Sequence, residues 1–150
     1  MNTDFKVSEV KLAYRHKVPY RERKRVNDSV VAYCILKETY PDEQIDHKEI
    51  FKALYLNRAN HAVGCLTISE GGISGAVADI RLIFQGAVLL NATSLILTHN
   101  HPSGTLQPSR QDISLTKKTM EAGRIMGIDI VDHLILTREG YYSLKDNGDI

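Results

Sequence analysis

Two histidines and an aspartate stand at a spacing that could chelate one metal ion. His99 and His101 are two residues apart at the end of an apolar run, and Asp112 follows after a loop. Because side chains alternate across a strand, residues two apart point to the same side, and both imidazoles can reach one ion. Two neutral histidines, one carboxylate and a water form a catalytic zinc site with an open position. A ligand set without sulfur also allows manganese or iron.

The residues between the histidines and the aspartate indicate how the chain returns to the metal. Pro102 and Gly104 force a turn after His101, and Ser109 stands three residues before Asp112. Ser-x-x-Asp resembles a capping box, so we expect Ser109 to cap a helix that ends at the helix-stopping Gly127. Capping and metal binding by Asp112 do not exclude each other, because a carboxylate has two oxygens.

The remaining elements are predicted from hydrophobic spacing and turn residues. Two further helices are expected over residues 30–40 and 78–91, and a weakly alternating edge strand over 5–14. Five stronger strands are expected over 49–56, 62–68, 95–98, 128–137 and 141–144. This succession predicts an α/β fold, an α+β sandwich in which helices flank a central mixed sheet.

Length and charge indicate one domain with a basic N-terminal arm. The chain has 150 residues and a net charge of +1, but residues 1–28 carry eight Lys or Arg against four acids. We therefore divide it into an arm over 1–28, packed on the domain, and the domain itself over 29–150. The side chains of Arg21, Arg23, Lys24 and Arg25 could contact nucleic-acid phosphates. A solvated arm is the competing interpretation.

Composition argues against secreted and membrane proteins. The charged start of the chain does not resemble a secretory signal, and no apolar run approaches the roughly 20 residues of a membrane span. Cys34 and Cys65 lack C-x-x-C spacing, which disfavours a zinc ribbon or redox pair, and we expect buried free thiols. These features predict a cytoplasmic protein.

The complete pattern resembles a known family. The string His99-x-His101-Pro102-x6-Ser109-x-x-Asp112 is similar to the JAMM motif of the MPN/JAB metalloprotease superfamily. The segments HNHPSG at 99–104, PSRQD at 108–112 and DHLIL at 132–136 resemble RadC-type proteins, and the resemblance extends over residues 27–148. It implies a cytidine-deaminase-like fold of the JAB/MPN kind. It also implies one zinc ion per chain at the end of the sheet, held by the two histidines and Asp112.

The same resemblance implies a glutamate that acts through the zinc-bound water. Of Glu38, Glu43, Glu49 and Glu70, the choice falls on Glu49, which opens a predicted strand where the RadC-type pattern places its glutamate. Glu49 would move the proton and Ser109 would donate to the oxyanion. The resemblance thus implies a zinc-dependent hydrolase of metallopeptidase type that cleaves amide or isopeptide bonds.

Two residues near the motif need separate interpretations. Asn100 stands where deubiquitinating relatives carry Ser or Thr, which removes support for a ubiquitin-like substrate. Asp132 and His133 are either an ordinary pair alternating across a strand, one of them buried and hydrogen-bonded, or partners that orient the zinc ligands from behind.

A function of another class remains open. RadC-type proteins have traditionally been labelled DNA-repair factors, and the basic arm would suit a nucleic-acid-binding protein or a metal-dependent nuclease. The expected partners are therefore a peptide or protein substrate, with DNA contact through the arm as the alternative. A base deaminase is rejected because the H-x-E and P-C-x-x-C ligands are missing.

Overall fold

Three helices and five strands follow one another in the order that the hydrophobic spacing predicts. The computed structural model describes residues 7, 8, 10, 11, 13–71 and 77–150. The helices are α1 (Ser29–Lys37), α2 (Ile80–Leu89) and α3 (Arg110–Met126), with a short 3-10 turn at Tyr20–Glu22. The strands are β1 (Ile50–Leu56), β2 (Ala62–Glu70), β3 (Ser94–Asn100), β4 (Asp129–Leu136) and β5 (Tyr141–Ser143).

The strands form one mixed sheet in the order β2-β1-β3-β4-β5. Strand β1 pairs antiparallel with both β2 and β3, whereas β3 and β4 are parallel. Every residue of the central strand β3 is buried, which explains why its apolar residues 95–97 are consecutive rather than alternating with polar ones. A parallel pair needs a crossover connection, and α3 supplies it.

Helices cover both faces of the sheet, as the predicted sandwich requires. One core lies between the sheet and helices α2 and α3, and includes Ile83, Phe84 and Leu97. The other lies beneath α1 and includes Leu36 and Ile96. We call the two sides the α3 face and the α1 face. The fold-class prediction is confirmed.

A bulge in β4 decides which of its side chains face α3. Leu95 of β3 pairs with Ile130, but the next residue, Ile96, pairs with Asp132, so Val131 is an extra residue. The shift turns Asp132 to the α1 face and returns His133 to the α3 face, the side that Ile130 also occupies. Bulges re-aim side chains in this way, often next to functional sites.

Some local predictions need correction. Helix α1 ends at Lys37 and not at residue 40, because Thr39 and Tyr40 bond carbonyls only three residues back and tighten the chain. The strand predicted over 5–14 falls partly outside the described residues, and its described residues form no strand. The glycine-rich stretch after β2 lies outside the described residues at 72–76.

The prediction of two buried thiols is wrong. Cys34 and Cys65 are both exposed. Helix α1 buries only Ala32 and Leu36, a stripe four residues apart that leaves Cys34 on the outer side, and Cys65 lies on the edge strand β2. Within the described part of the chain, no helix is long and apolar enough to cross a membrane.

Candidate metal centre

The three predicted ligands come together at the carboxyl end of β3. The Nε2 atoms of His99 and His101 lie 2.9 Å apart. Asp112 Oδ1 is 3.3 Å from His99 Nε2, and Asp112 Oδ2 is 3.8 Å from His101 Nε2. One donor atom from each residue therefore lies within 4.8 Å of the others, a separation that a single metal ion could bridge.

His101 is oriented by the turn that follows it. Its Nδ1 lies 2.8 Å from the carbonyl oxygen of Thr105, and because a carbonyl only accepts, Nδ1 carries the proton. Gly104 makes this turn with a φ of +82°, a conformation that glycine adopts without a Cβ clash. In the neutral ring, Nε2 is therefore left with a lone pair directed at the cluster.

Asp112 caps its helix and faces the histidines at the same time. Its Oδ2 accepts from the backbone N–H of Ser109 at 2.7 Å, and its own N–H donates to Ser109 Oγ at 3.1 Å. This reciprocal capping box fixes the carboxylate at the start of α3, where the helix dipole favours negative charge. Asp112 therefore caps the helix through Oδ2 while its Oδ1 faces His99, as its two oxygens allow.

The donor atoms fit a divalent cation. His99 is fully buried, and burial lowers its pKa to about 4, although Asp112 opposes the shift. The ring is therefore neutral near pH 7. Two imidazole lone pairs and a carboxylate oxygen at these distances repel one another unless a positive charge lies between them. Nitrogen and oxygen donors of this kind suit zinc and its first-row neighbours.

A third histidine, His133, contacts His99 on the side away from His101 and Asp112. His99 Nδ1 is 2.8 Å from His133 Nε2, and His133 Nδ1 is 2.7 Å from Thr116 Oγ1. Phe51 stacks nearly parallel to the His99 ring at a centroid distance of 5.8 Å. Burial holds the pKa of His133 well below its ordinary value. The His99 ring is thus packed against Phe51 and hydrogen-bonded to His133 on the side away from the other two predicted ligands.

Asp132 does not share this position. It faces the α1 side, where its carboxylate accepts from Ser143 Oγ at 2.6 Å and from the Lys145 N–H at 3.1 Å. Both members of the Asp132–His133 pair are buried, so the expectation that one would be buried is wrong. Of the two, His133 alone is hydrogen-bonded to a predicted ligand.

Asn100, between the two histidines, holds the chain segment that precedes β1. Its Oδ1 accepts from the Ile50 N–H at 2.7 Å, and its Nδ2 donates to the carbonyls of Ile45 and Lys48 at 2.7 and 2.9 Å. The sequence predicts only that Asn100 points away from the metal. The three hydrogen bonds to backbone groups on the α1 face, two of them buried and one partly buried, could not be predicted from its spacing.

Glu49 lies within the segment 45–50 that Asn100 holds, one residue before β1. Phe51 pairs with His99 across the strands and stacks on its ring, and alternation places Glu49 on the same face as Phe51. Among the alternatives, Glu70 forms an ion pair with Lys48 at the outer strand, while the side chains of 38 and 43 are exposed. Glu49 therefore stays the predicted proton carrier, and it lies on the strand side that carries His99.

The basic arm meets the domain at the opposite end of the sheet. Arg25 forms an isolated bridge with His61, in the turn between β1 and β2. At that end Leu56 pairs with Ser94, five residues along β3 from His99, a separation of about 17 Å. Of the other predicted phosphate contacts, 21 and 24 are exposed and 23 is half-buried. None of the four lies near the metal ligands.

Comparisons with known proteins agree on one family. A family model described as "RadC-like JAB domain" matches residues 26–149. A relative from Flavobacterium johnsoniae is 42% identical over 125 residues, covering 83% of this chain and 53% of the relative. One from Salinibacter ruber is 47% identical over 101 residues, covering 67% and 43%. A third, from Methanococcoides burtonii, is 39% identical over 130 residues, covering 87% and 54%.

These relatives are each named "UPF0758 protein", a name that states no activity. The chain spans about half the length of the curated relatives it matches.

We predict that Asn100→Ala destabilises the fold by roughly 2 to 5 kcal/mol, because three backbone groups that are buried or partly buried lose their partner at about 1 kcal/mol or more each. The measurement is the free energy of unfolding in urea. Asn147→Ala is the control, since this exposed side chain donates one bond to Ser143 and should cost about 0.5 kcal/mol. Equal losses of unfolding free energy in both variants would contradict the role of Asn100 in holding residues 45–50.

Proposed function

This chain belongs to the family of RadC-like JAB domains, and from that premise we propose that it is a zinc-dependent hydrolase of metallopeptidase type. The bond cleaved is an amide or isopeptide bond. The observation that carries the proposal is the convergence of two imidazole lone pairs and a carboxylate on one point at the sheet's end. Such an arrangement is unfavourable without a cation and leaves a ligand position open with one.

His99, His101 and Asp112 would hold one zinc ion per chain. Bound zinc would act as a Lewis acid that polarises the substrate carbonyl and acidifies a water molecule. The protein prepares for this by fixing all three side chains in advance. His99 is held by packing and by His133, His101 by the Thr105 carbonyl, and Asp112 by its capping box.

Glu49 is proposed as the proton carrier. Its carboxylate would accept the proton of the attacking water and deliver it to the leaving amine. The role is supported by its placement on the α3 face beside Phe51 and by the Asn100 bonds on either side of it in sequence, to Lys48 and Ile50. Such a rigid support is what a positioned general base needs.

Ser109 is proposed as the donor to the oxyanion. Its Oγ accepts the N–H of Asp112, and accepting leaves its own hydroxyl proton available to the substrate oxygen. Removal of one such donor typically costs two to three orders of magnitude in rate.

The nucleic-acid hypothesis for Arg21, Arg23, Lys24 and Arg25 is a separate proposal. Arg25 and the metal ligands lie at opposite ends of the sheet, so no shared phosphate site supports it. It predicts DNA binding that weakens steeply with salt, and a peptidase should be indifferent to these charges.

Purified protein should bind about one zinc per chain, and His99→Ala and Asp112→Asn should each abolish it. Asparagine can still accept the Ser109 N–H, so the second variant removes the charge while the helix cap is retained. Metal analysis after dialysis against zinc gives the result. Failure of the wild-type chain to take up zinc, or full zinc content in both variants, would refute the proposed site.

Glu49→Gln should keep zinc but lower the rate of peptide hydrolysis about 10²- to 10⁴-fold, because the amide cannot take the proton. A library of peptide and isopeptide substrates, incubated with zinc-loaded protein, provides the assay. Glu70→Gln is the matched control at the neighbouring carboxylate and should leave the rate unchanged. If Glu49→Gln cleaves as fast as the wild type, Glu49 is not the proton carrier.

Ser109→Ala should reduce kcat about 10²- to 10³-fold while lowering stability by only about 1 kcal/mol through the lost helix cap. Ser109→Thr retains both a cap and a hydroxyl and should restore most of the rate. Steady-state kinetics and urea unfolding on the same preparations separate the two effects. If the loss of folded protein accounts for the whole loss of rate in Ser109→Ala, then Ser109 acts only as a helix cap.

A further inference from the structure

A chain of three hydrogen bonds connects two of the predicted metal ligands, His99 and Asp112, through the protein interior. It runs from His99 to His133, from His133 to Thr116, and from Thr116 to the backbone carbonyl of Asp112. The path uses three elements, since His99 lies on β3, His133 on β4, and the last two residues one turn apart on α3. All three side chains on it are fully buried, so no solvent competes for the bonds.

The direction of each bond in this path follows from its last member. The Asp112 carbonyl can only accept, and Thr116 Oγ1 lies 2.6 Å from it, so the single hydroxyl proton points there. Thr116 must then accept from its other neighbour, His133 Nδ1, at 2.7 Å. The proton of the His133 ring therefore sits on Nδ1.

The same logic continues to the metal ligand. A neutral imidazole carries one proton, so His133 Nε2 is an acceptor. His99 Nδ1, at 2.8 Å, must therefore donate its proton to His133 Nε2. The other ring nitrogen of His99, Nε2, is then unprotonated, and it is the atom that faces His101 and Asp112.

We propose that His133 and Thr116 are positioning residues that fix the tautomer of His99 and thereby prepare it to bind the metal. The inference rests on the proposed function for the identity of the metal. It adds the reason why His99 presents the correct nitrogen. A histidine ligand usually donates its second N–H to a carboxylate, a carbonyl or water, and here a neutral histidine accepts it, itself aligned by a hydroxyl.

Helix α3 carries a matched control for this role. Thr119, one turn further along, is also fully buried, and its Oγ1 donates to the Leu115 carbonyl at 2.8 Å. Thr119 therefore repeats the hydroxyl-to-carbonyl bond of Thr116, but no hydrogen bond to a histidine is found for it among the described residues. Replacing either threonine by valine removes the same local bond and leaves a side chain of similar shape.

Zinc affinity, measured by competition with a chromophoric chelator, separates the two positions. Thr116→Val should raise the zinc dissociation constant about 10- to 100-fold, the usual effect of losing such a supporting contact. Thr119→Val should leave it within about threefold, and Thr116→Ser, which keeps the hydroxyl, should restore it. Equal affinities in Thr116→Val and Thr119→Val would overturn the proposal.

The tautomer itself gives a readout that does not depend on hydrolysis. Imidazole nitrogen NMR near neutral pH should show His133 protonated at Nδ1 and unprotonated at Nε2, in the metal-free and the zinc-loaded chain alike. A proton on His133 Nε2 would overturn the proposal. If the wild-type chain binds zinc as expected but hydrolyses nothing, the hydrolase proposal fails, and the zinc affinities and the NMR result still decide the role of His133 and Thr116. If it binds no zinc, the NMR result alone decides that role.

Discussion

The burial of His99 is the constraint on which the rest of the site depends. An imidazole removed from water stays neutral and needs a partner for each of its two nitrogens. On the inner side that partner is His133 at 2.8 Å, and on the outer side it is the point shared with His101 and Asp112. A fully hydrated histidine at this position would have neither a fixed tautomer nor a fixed ring orientation.

The topology of the sheet satisfies that constraint with few elements. Because β3 and β4 are parallel, the chain must leave the end of β3, cross the sheet and return. The crossover helix α3 therefore begins next to His99 and presents Asp112 in its first turn and Thr116 in its second. The bulge at Val131 then turns His133 toward the same helix. One connection thus supplies both the predicted ligand Asp112 and the hydroxyl of Thr116, which is hydrogen-bonded to His133.

Much of this arrangement could be predicted from sequence, because its signals are local. The spacing of His99 and His101, the Ser109–Asp112 capping box and the apolar run of β3 each depend on neighbours a few residues away. The role of Thr116 and the hydrogen bonds of Asn100 depend instead on the register between distant strands and on a bulge that no local pattern marks. For the same reason the sequence predicts one buried member in the pair Asp132–His133, whereas both are buried, on opposite faces of a covered sheet.

The end of β3 supports two networks that lie on opposite faces of the sheet. Asn100 projects to the α1 face and fixes residues 45–50, the segment that carries Glu49, while His99 projects to the α3 face and is fixed by His133 and Thr116. Since neighbouring residues of a strand point in opposite directions, one buried strand can hold the predicted ligand His99 and the segment that carries Glu49 independently. His99 is thus fixed from within the α3 core, and the segment of the proposed base is fixed from the α1 face. Strand β3 is the buried element that both networks share.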